Sequence, residues 1–165
     1  MNARLFLALW PDPAVREQLA QARDRWTWPS AASPVRTERL HLTLHFIGDV
    51  AQERVATVAD ELALTSPRFD VHLGHHHLWP HGIAVLEPLH VPPALCALQD
   101  KLGSQLRALA LPVDARSYRP HVTLARRAGN AHPAQGDAAI VWSVDRYALV
   151  QSQSGHYQVV REYAF

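Results

Sequence analysis

Two rhythms of apolar residues run through this chain and divide it into short elements. Residues 4–10, Arg-Leu-Phe-Leu-Ala-Leu-Trp, form an apolar run that predicts a buried strand. Pro11-Asp12-Pro13 stops it, with Asp12 placed to cap a helix and Pro13 at the first helical position. Val15, Leu19, Ala22 and Trp26 then recur at helical spacing, predicting a helix over residues 13–26. A loop rich in small residues over 30–34 leads to a strand over 39–47, closed by Gly48-Asp49. A second helix is predicted over 51–65, with Val55, Val58, Ala59 and Leu62 facing inward. Residues 69–73 alternate as a strand, and 82–86 read as the return strand of a hairpin whose tip is 74–82. Leu95, Leu98, Leu102 and Leu106 mark a third helix over 92–109. A strand over 118–126, a polar loop over 127–137, and strands over 140–150 and 156–165 complete the chain. The loop's length and composition suggest a mobile segment. Helices and hairpins are mixed, and no Gly-rich phosphate loop follows a strand. The expected class is α+β with antiparallel sheets rather than a doubly wound nucleotide-binding fold.

One short stretch recurs. His41-Leu42-Thr43-Leu44 returns eighty positions later as His121-Val122-Thr123-Leu124, and the flanks match: Arg36 with Arg116, Thr37 with Ser117, Arg39 with Arg119. The offset is about half of the 165 residues, which suggests two similar lobes feeding one site. In a strand, His41 and Thr43 share one face while Leu42 and Leu44 point into a core, and the second copy behaves alike. Each motif thus offers an imidazole and a hydroxyl on a rigid support. Imidazole titrates near neutrality, so a facing pair can serve as general acid and general base. Threonine hydroxyls can donate to charged oxygens, and arginines suit phosphate. The pattern points to two-histidine phosphoryl chemistry without a metal.

Composition narrows the partners. Sixteen basic and fifteen acidic residues leave a net charge of +1, so a broad duplex-binding surface is not expected. A hydrophobic fraction of 48% supports a core, and the length suits one domain of two small lobes, residues 1–165. The single cysteine, Cys96, excludes an intrachain disulfide, and its apolar neighbours predict a buried helical position. The apolar run near the N-terminus is too short for a signal peptide or a membrane span. A soluble, cytoplasmic monomer is expected.

These residues resemble the 2H phosphoesterases, and within them the RNA 2′,3′-cyclic phosphodiesterase group, also called LigT or 2′-5′ RNA ligase-like proteins. The resemblance covers the opening strand, Leu40 through Gly48 around the first motif, Arg119 through Arg126 around the second, and the closing hairpin with Leu149, Ser152, Gly155 and Tyr157. It implies a bilobal fold, with a central cleft between two antiparallel sheets, helices on the outer faces and a pseudo-twofold duplicated motif. It implies hydrolysis of a 2′,3′-cyclic phosphate on RNA ends or nucleotides to a 2′-phosphomonoester, with no metal or cofactor. His41 is then the proton donor and His121 the proton acceptor. Thr43, Thr123 and Arg126 hold the phosphate oxygens, and Phe46 stacks on a base. Alternatives at the same site are 2′-5′ RNA ligation, opening of an ADP-ribose cyclic phosphate, or RNA-end binding without catalysis.

Two features fit less simply. Phe46 and Arg126 each lie five positions after their histidine, so strict alternation turns them away from the site and turns His45 and Ala125 toward it. Either the strands bulge or end there, or those roles fail. Five histidines also fall within ten positions, at 72, 75, 76, 77 and 81. His75 and His77 could hold a metal from one strand face, but a solvated hairpin tip is the expected reading. Trp79 and Trp142 are expected in the core or at a sheet edge, and Arg36 and Arg116 at the cleft mouth or in solvent.

Overall fold

The first strand of the computed structural model, which describes residues 1–165, sets the layering. β1 (Asn2–Leu9) is covered on both sides. Leu5, Leu7 and Leu9 enter the main core, whereas Phe6 and Ala8 enter a smaller apolar cluster with Ala148 and Val150. A strand buried twice needs no polar face, hence its unbroken apolar sequence. Asp12 caps α1 (Pro13–Asp24) as expected, its side chain accepting from the Val15 N–H at 2.8 Å.

β2 (Ser33–Pro34) and a 3₁₀ turn over Thr37–Arg39 precede the first motif strand, β3 (Leu42–Ala51). The turn takes up Arg39, so the strand starts and ends later than the sequence suggests. A second 3₁₀ turn, Gln52–Arg54, shortens the next helix to α2 (Val55–Glu61). β4 (Phe69–Trp79) and β5 (Ile83–Pro88) follow, then α3 (Pro93–Ala108), β6 (Val122–Arg126), β7 (Ile140–Val144), β8 (Arg146–Gln153) and β9 (His156–Ala164).

The strands pair antiparallel in the order β7-β4-β5-β6-β3-β1-β8-β9, with β2 on β6. Two four-stranded halves are visible in that order. Each carries its motif strand innermost, and the halves meet through one residue pair, Leu42 with Val122. The predicted strand over 140–150 is thus two strands in different halves, broken at Asp145. α1 packs against β7 and α3 against β3. Their apolar stripes share one core with Leu42, Leu44, Val122 and Leu124, leaving the opposite face of the sheet to the histidines.

Several expectations change here. β4 runs on to Trp79, so the middle histidines are strand residues and the hairpin turns at Pro80–Gly82. A Cβ on Gly82, at φ +71°, would stand 2.7 Å from the Gly129 nitrogen, so only glycine fits this turn. His76 accepts from the Trp26 indole at 2.9 Å, His75 lies 3.4 Å from Asp137, and His72 stacks on His90 at 5.7 Å. The 127–137 loop is tied down: Ala128 N–H donates to Gly82 at 2.8 Å, and Thr27 and His132 exchange backbone bonds of 2.9 and 3.0 Å. Cys96 is exposed, because it falls off the Leu95, Leu98, Leu102 and Leu106 stripe of α3. No helix is long and apolar enough to cross a membrane.

Candidate active site

The seam between the halves makes the site. Leu42 and Val122 are fully buried and point into the core. The residues on either side of this pair are His41 and Thr43 on one chain segment and His121 and Thr123 on the other. All four side chains therefore leave the opposite face, as the duplicated motif predicts.

A β-bulge in each motif strand resolves the parity conflict. Against β1, His45 pairs with Leu7 and Thr43 with Ala8, so Leu44 is the extra residue. Against β5, Ala125 pairs with Ala84 and Thr123 with Val85, so Leu124 is extra in the second copy. After each bulge two consecutive residues turn inward, Leu44 with His45 and Leu124 with Ala125. The next residue comes out on the histidine side: Phe46 is 52% exposed, and Arg126 is exposed close enough to His121 to oppose its protonation. His45 is not in the cleft. It is 5% exposed under α3, its Nε2–H donating to the Gln99 carbonyl at 2.6 Å.

His41 sits in an aromatic box. Its ring centroid lies 4.9 Å from Phe6, 5.8 Å from Trp10 and 5.6 Å from Tyr157. Nδ1–H donates to the Arg39 carbonyl at 2.7 Å, which fixes the tautomer and leaves Nε2 to accept from the Thr43 hydroxyl at 3.0 Å. Burial pushes the ring down to about 4, the Arg39 carbonyl opposes this, and the charges of Arg16, His121 and Arg39 add to it. His41 is therefore neutral at pH 7.

His121 has the same backbone anchor and different surroundings. Its Nδ1–H donates to the Arg119 carbonyl at 2.7 Å, and its ring packs 4.4 Å from Trp79. Burial lowers its affinity for a proton, whereas the Arg119 carbonyl and then Glu87 restore part of it. Tyr118, two residues before the Pro120-His121 pair, reaches across to donate its hydroxyl to the Thr43 carbonyl at 2.9 Å. Burial pushes that phenol up, so it remains a donor throughout the working range. Tyr118→Phe leaves the Thr43 carbonyl unpaired and is expected to cost about 1–2 kcal/mol, read as a lower urea midpoint.

A sequence profile for the 2′-5′ RNA ligase superfamily matches residues 11–156. The chain belongs to this superfamily. It is 32% identical over 130 residues to the RNA 2′,3′-cyclic phosphodiesterase of Escherichia coli (strain K12), covering 78% of this chain and 74% of that protein. It is 27% identical over 164 residues to the protein of that name from Thermus thermophilus, covering 91% and 82%. The crystal structure of E. coli LigT in apo form superposes with a TM-score of 0.87 at 26% identity, over 99% of this chain and 97% of that one. The same enzyme complexed with 3′-AMP gives 0.87, also at 26% identity, over 100% and 99%.

In this member of the superfamily, then, His41, Thr43, His121 and Thr123 share one face of the seam. The bulges bring Phe46 and Arg126 to the same side. The sequence motifs did not reveal Phe6, Trp10, Trp79 and Glu87 as neighbours of the two rings. The only signal for the aromatic box is Tyr157 in the closing hairpin, and the only signal for the anchors is the arginine shared two positions before each histidine. Arg116 is solvated and paired with its neighbour Asp114 at 2.6 Å, and Trp142 is in the core.

Proposed function

We propose that this protein hydrolyses 2′,3′-cyclic phosphates on RNA ends or nucleotides, leaving a 2′-phosphomonoester. The observation that carries the reading is the tautomer lock. Each histidine gives its Nδ1–H to a backbone carbonyl, so both Nε2 atoms are the reactive ones, and they flank one seam beside two threonine hydroxyls. Residues 1–165 act in this reading as one bilobal domain.

Water attacks phosphorus opposite the 3′ oxygen, a new P–O bond forms, and the P–O3′ bond breaks. His121 Nε2 takes the proton of the attacking water, and His41 Nε2 delivers one to the departing 3′ oxygen. The donor and acceptor are assigned from the family resemblance. His41 is neutral in the free protein, so its proton arrives with the substrate, whose negative charge raises the ring's proton affinity. Thr43, Thr123 and Arg126 hold the non-bridging oxygens, and Phe46 offers a stacking face that tolerates different bases. The names of the E. coli and T. thermophilus relatives and the 3′-AMP complex of LigT support this choice of substrate.

A nucleoside 2′,3′-cyclic phosphate incubated with the protein and a chelator tests the proposal. The expected product is the 2′-phosphate alone, identified by phosphorus NMR. Absence of turnover, or a product that is only the 3′-phosphate, overturns it.

A further inference from the structure

The two motifs are anchored by the same device, repeated at the half-length offset. In each, the arginine two positions before the histidine does two jobs. Its carbonyl accepts the histidine Nδ1–H, and its guanidinium lies over an aromatic ring that packs against that histidine. Arg39 covers Tyr157 at 4.5 Å, and Tyr157 meets His41. Arg119 covers Trp79 at 4.4 Å, and Trp79 meets His121. Of the matched arginines in the flanks, Arg39 and Arg119 thereby orient the two rings through both backbone and side chain.

The copies differ in what holds the guanidinium. Arg39 reaches only the Tyr157 hydroxyl, at 3.1 Å, and its Nε is buried without a partner. Arg119 is gripped by a carboxylate: Nε donates to Glu87 Oε2 at 3.0 Å and Nη2 to Oε1 at 3.1 Å. The same Oε1 accepts from the Trp79 indole at 3.2 Å and from His77 Nδ1–H at 2.8 Å. Burial alone would push Glu87 up, but hydrogen bonds from Arg119, His77 and Trp79 hold it below the ordinary carboxylate range, so it stays ionised. A bidentate pair of this kind fixes direction as well as charge. One carboxylate thus sets the arginine and the tryptophan that together frame His121, and it neutralises the guanidinium beside that ring. The first motif has no counterpart to it.

We propose that Glu87, acting through Arg119 and Trp79, is a positioning residue for His121 and the group that lets the second motif keep a proton at a pH where the first has lost it. The inference rests on the two-histidine reading of the site and assigns the order in which the pair titrates. The charged and titratable groups around His121 are Glu87 on β5, His77 on β4, Arg119 on its own flank, Arg126 at the end of β6, and His41 across the seam. Around His41 they are Arg16 on α1, Arg39 and His121, with no acid among them. Burial and these three charges therefore oppose a proton on His41 with the Arg39 carbonyl against them, whereas on His121 the Arg119 carbonyl is joined by a carboxylate.

Histidine Cε1–H resonances of the full chain, followed by NMR from pH 4 to 8, give the test. His41→Gln and His121→Gln assign the two signals. In the wild type, His121 is expected to titrate at a higher pH than His41. Glu87→Gln, which keeps the shape and removes the charge, should move the His121 midpoint to lower pH and leave that of His41 in place. Arg119→Gln should move the His121 midpoint the other way, because it removes a positive charge beside the ring and frees the carboxylate. An unmoved His121 midpoint in a folded Glu87→Gln protein overturns the proposal. If that variant does not fold, the double variant Glu87→Gln/Arg119→Gln, which removes both charges of the pair, decides: a His121 midpoint below that of Arg119→Gln supports the proposal and one equal to it overturns it. The kinetic counterpart is an alkaline limb of kcat/KM that shifts to lower pH in Glu87→Gln. Lack of turnover in the wild type would sink the phosphodiesterase reading, while the NMR titration would still report on Glu87.

Discussion

Replacing either His41 or His121 by alanine is expected to lower kcat by about 10²–10⁴-fold, the usual contribution of a positioned general acid or base. The two losses should not add. Once one ring is gone, the proton transfers can no longer be concerted, and the second substitution removes a group already idle. A His41→Ala/His121→Ala protein is therefore expected close to the weaker single variant. Steady-state hydrolysis of a nucleoside 2′,3′-cyclic phosphate measures all three, with circular dichroism to check the fold. A loss below tenfold from either histidine would end the paired acid–base account. Both anchors come from the backbone, through the carbonyls of Arg39 and Arg119, so each alanine variant leaves one carbonyl unsatisfied, and His41→Ala also frees the Thr43 hydroxyl.

The second large effect is on stability in mild acid. His41 in the folded protein binds its proton only near pH 4, against 6.5 for an ordinary histidine. Between those values the unfolded chain is protonated there and the folded one is not, so stability falls as pH falls. Above pH 6.5 the contribution is fully present, and below about 4 it is spent. At 1.36 kcal/mol per unit, His41 alone accounts for roughly 3 kcal/mol across that window. His45, His76 and His121 are lowered too, each first by burial, and act in the same direction. Urea midpoints should drop steadily from pH 7 to 4.5, and His41→Gln should flatten the slope. A wild-type midpoint that is level between pH 7 and 5 would contradict this. The same aromatic box thus provides the neutral imidazole and makes the fold sensitive to acid.

The sequence made the duplicated motif and the apolar stripes of α1 and α3 legible, because both are periodic and periodicity survives in one dimension. It concealed the bulges. Leu44-His45-Phe46 and Leu124-Ala125-Arg126 look like ordinary alternation, and the extra residue shows only when each strand is laid against its neighbour. His45 was misplaced for that reason alone. The break at Asp145 was hidden similarly, since two apolar strands joined by one residue read as one long strand. Trp79 and Glu87 reach His121 from β4 and β5, about forty residues away in the chain, through pairings that no local pattern encodes. The histidine-rich stretch has the polarity of a solvated tip, and its partners on β5, on β7 and at Trp26 just beyond α1 are invisible to a local pattern.

The seam has a mechanical meaning. One ladder pair, Leu42 with Val122, and one tyrosine hydroxyl cross between the motif strands. The spacing of the two rings is therefore set by the apolar mass beneath them, which runs unbroken from Leu42 and Val122 to the helices. Such interiors are nearly incompressible and pass strain on rather than absorb it. The gap between the two rings is in that sense a volume before it is a distance. A methylene added or removed deep under the sheet acts on it like a shim under a pair of jaws, while a change at the rim leaves it alone.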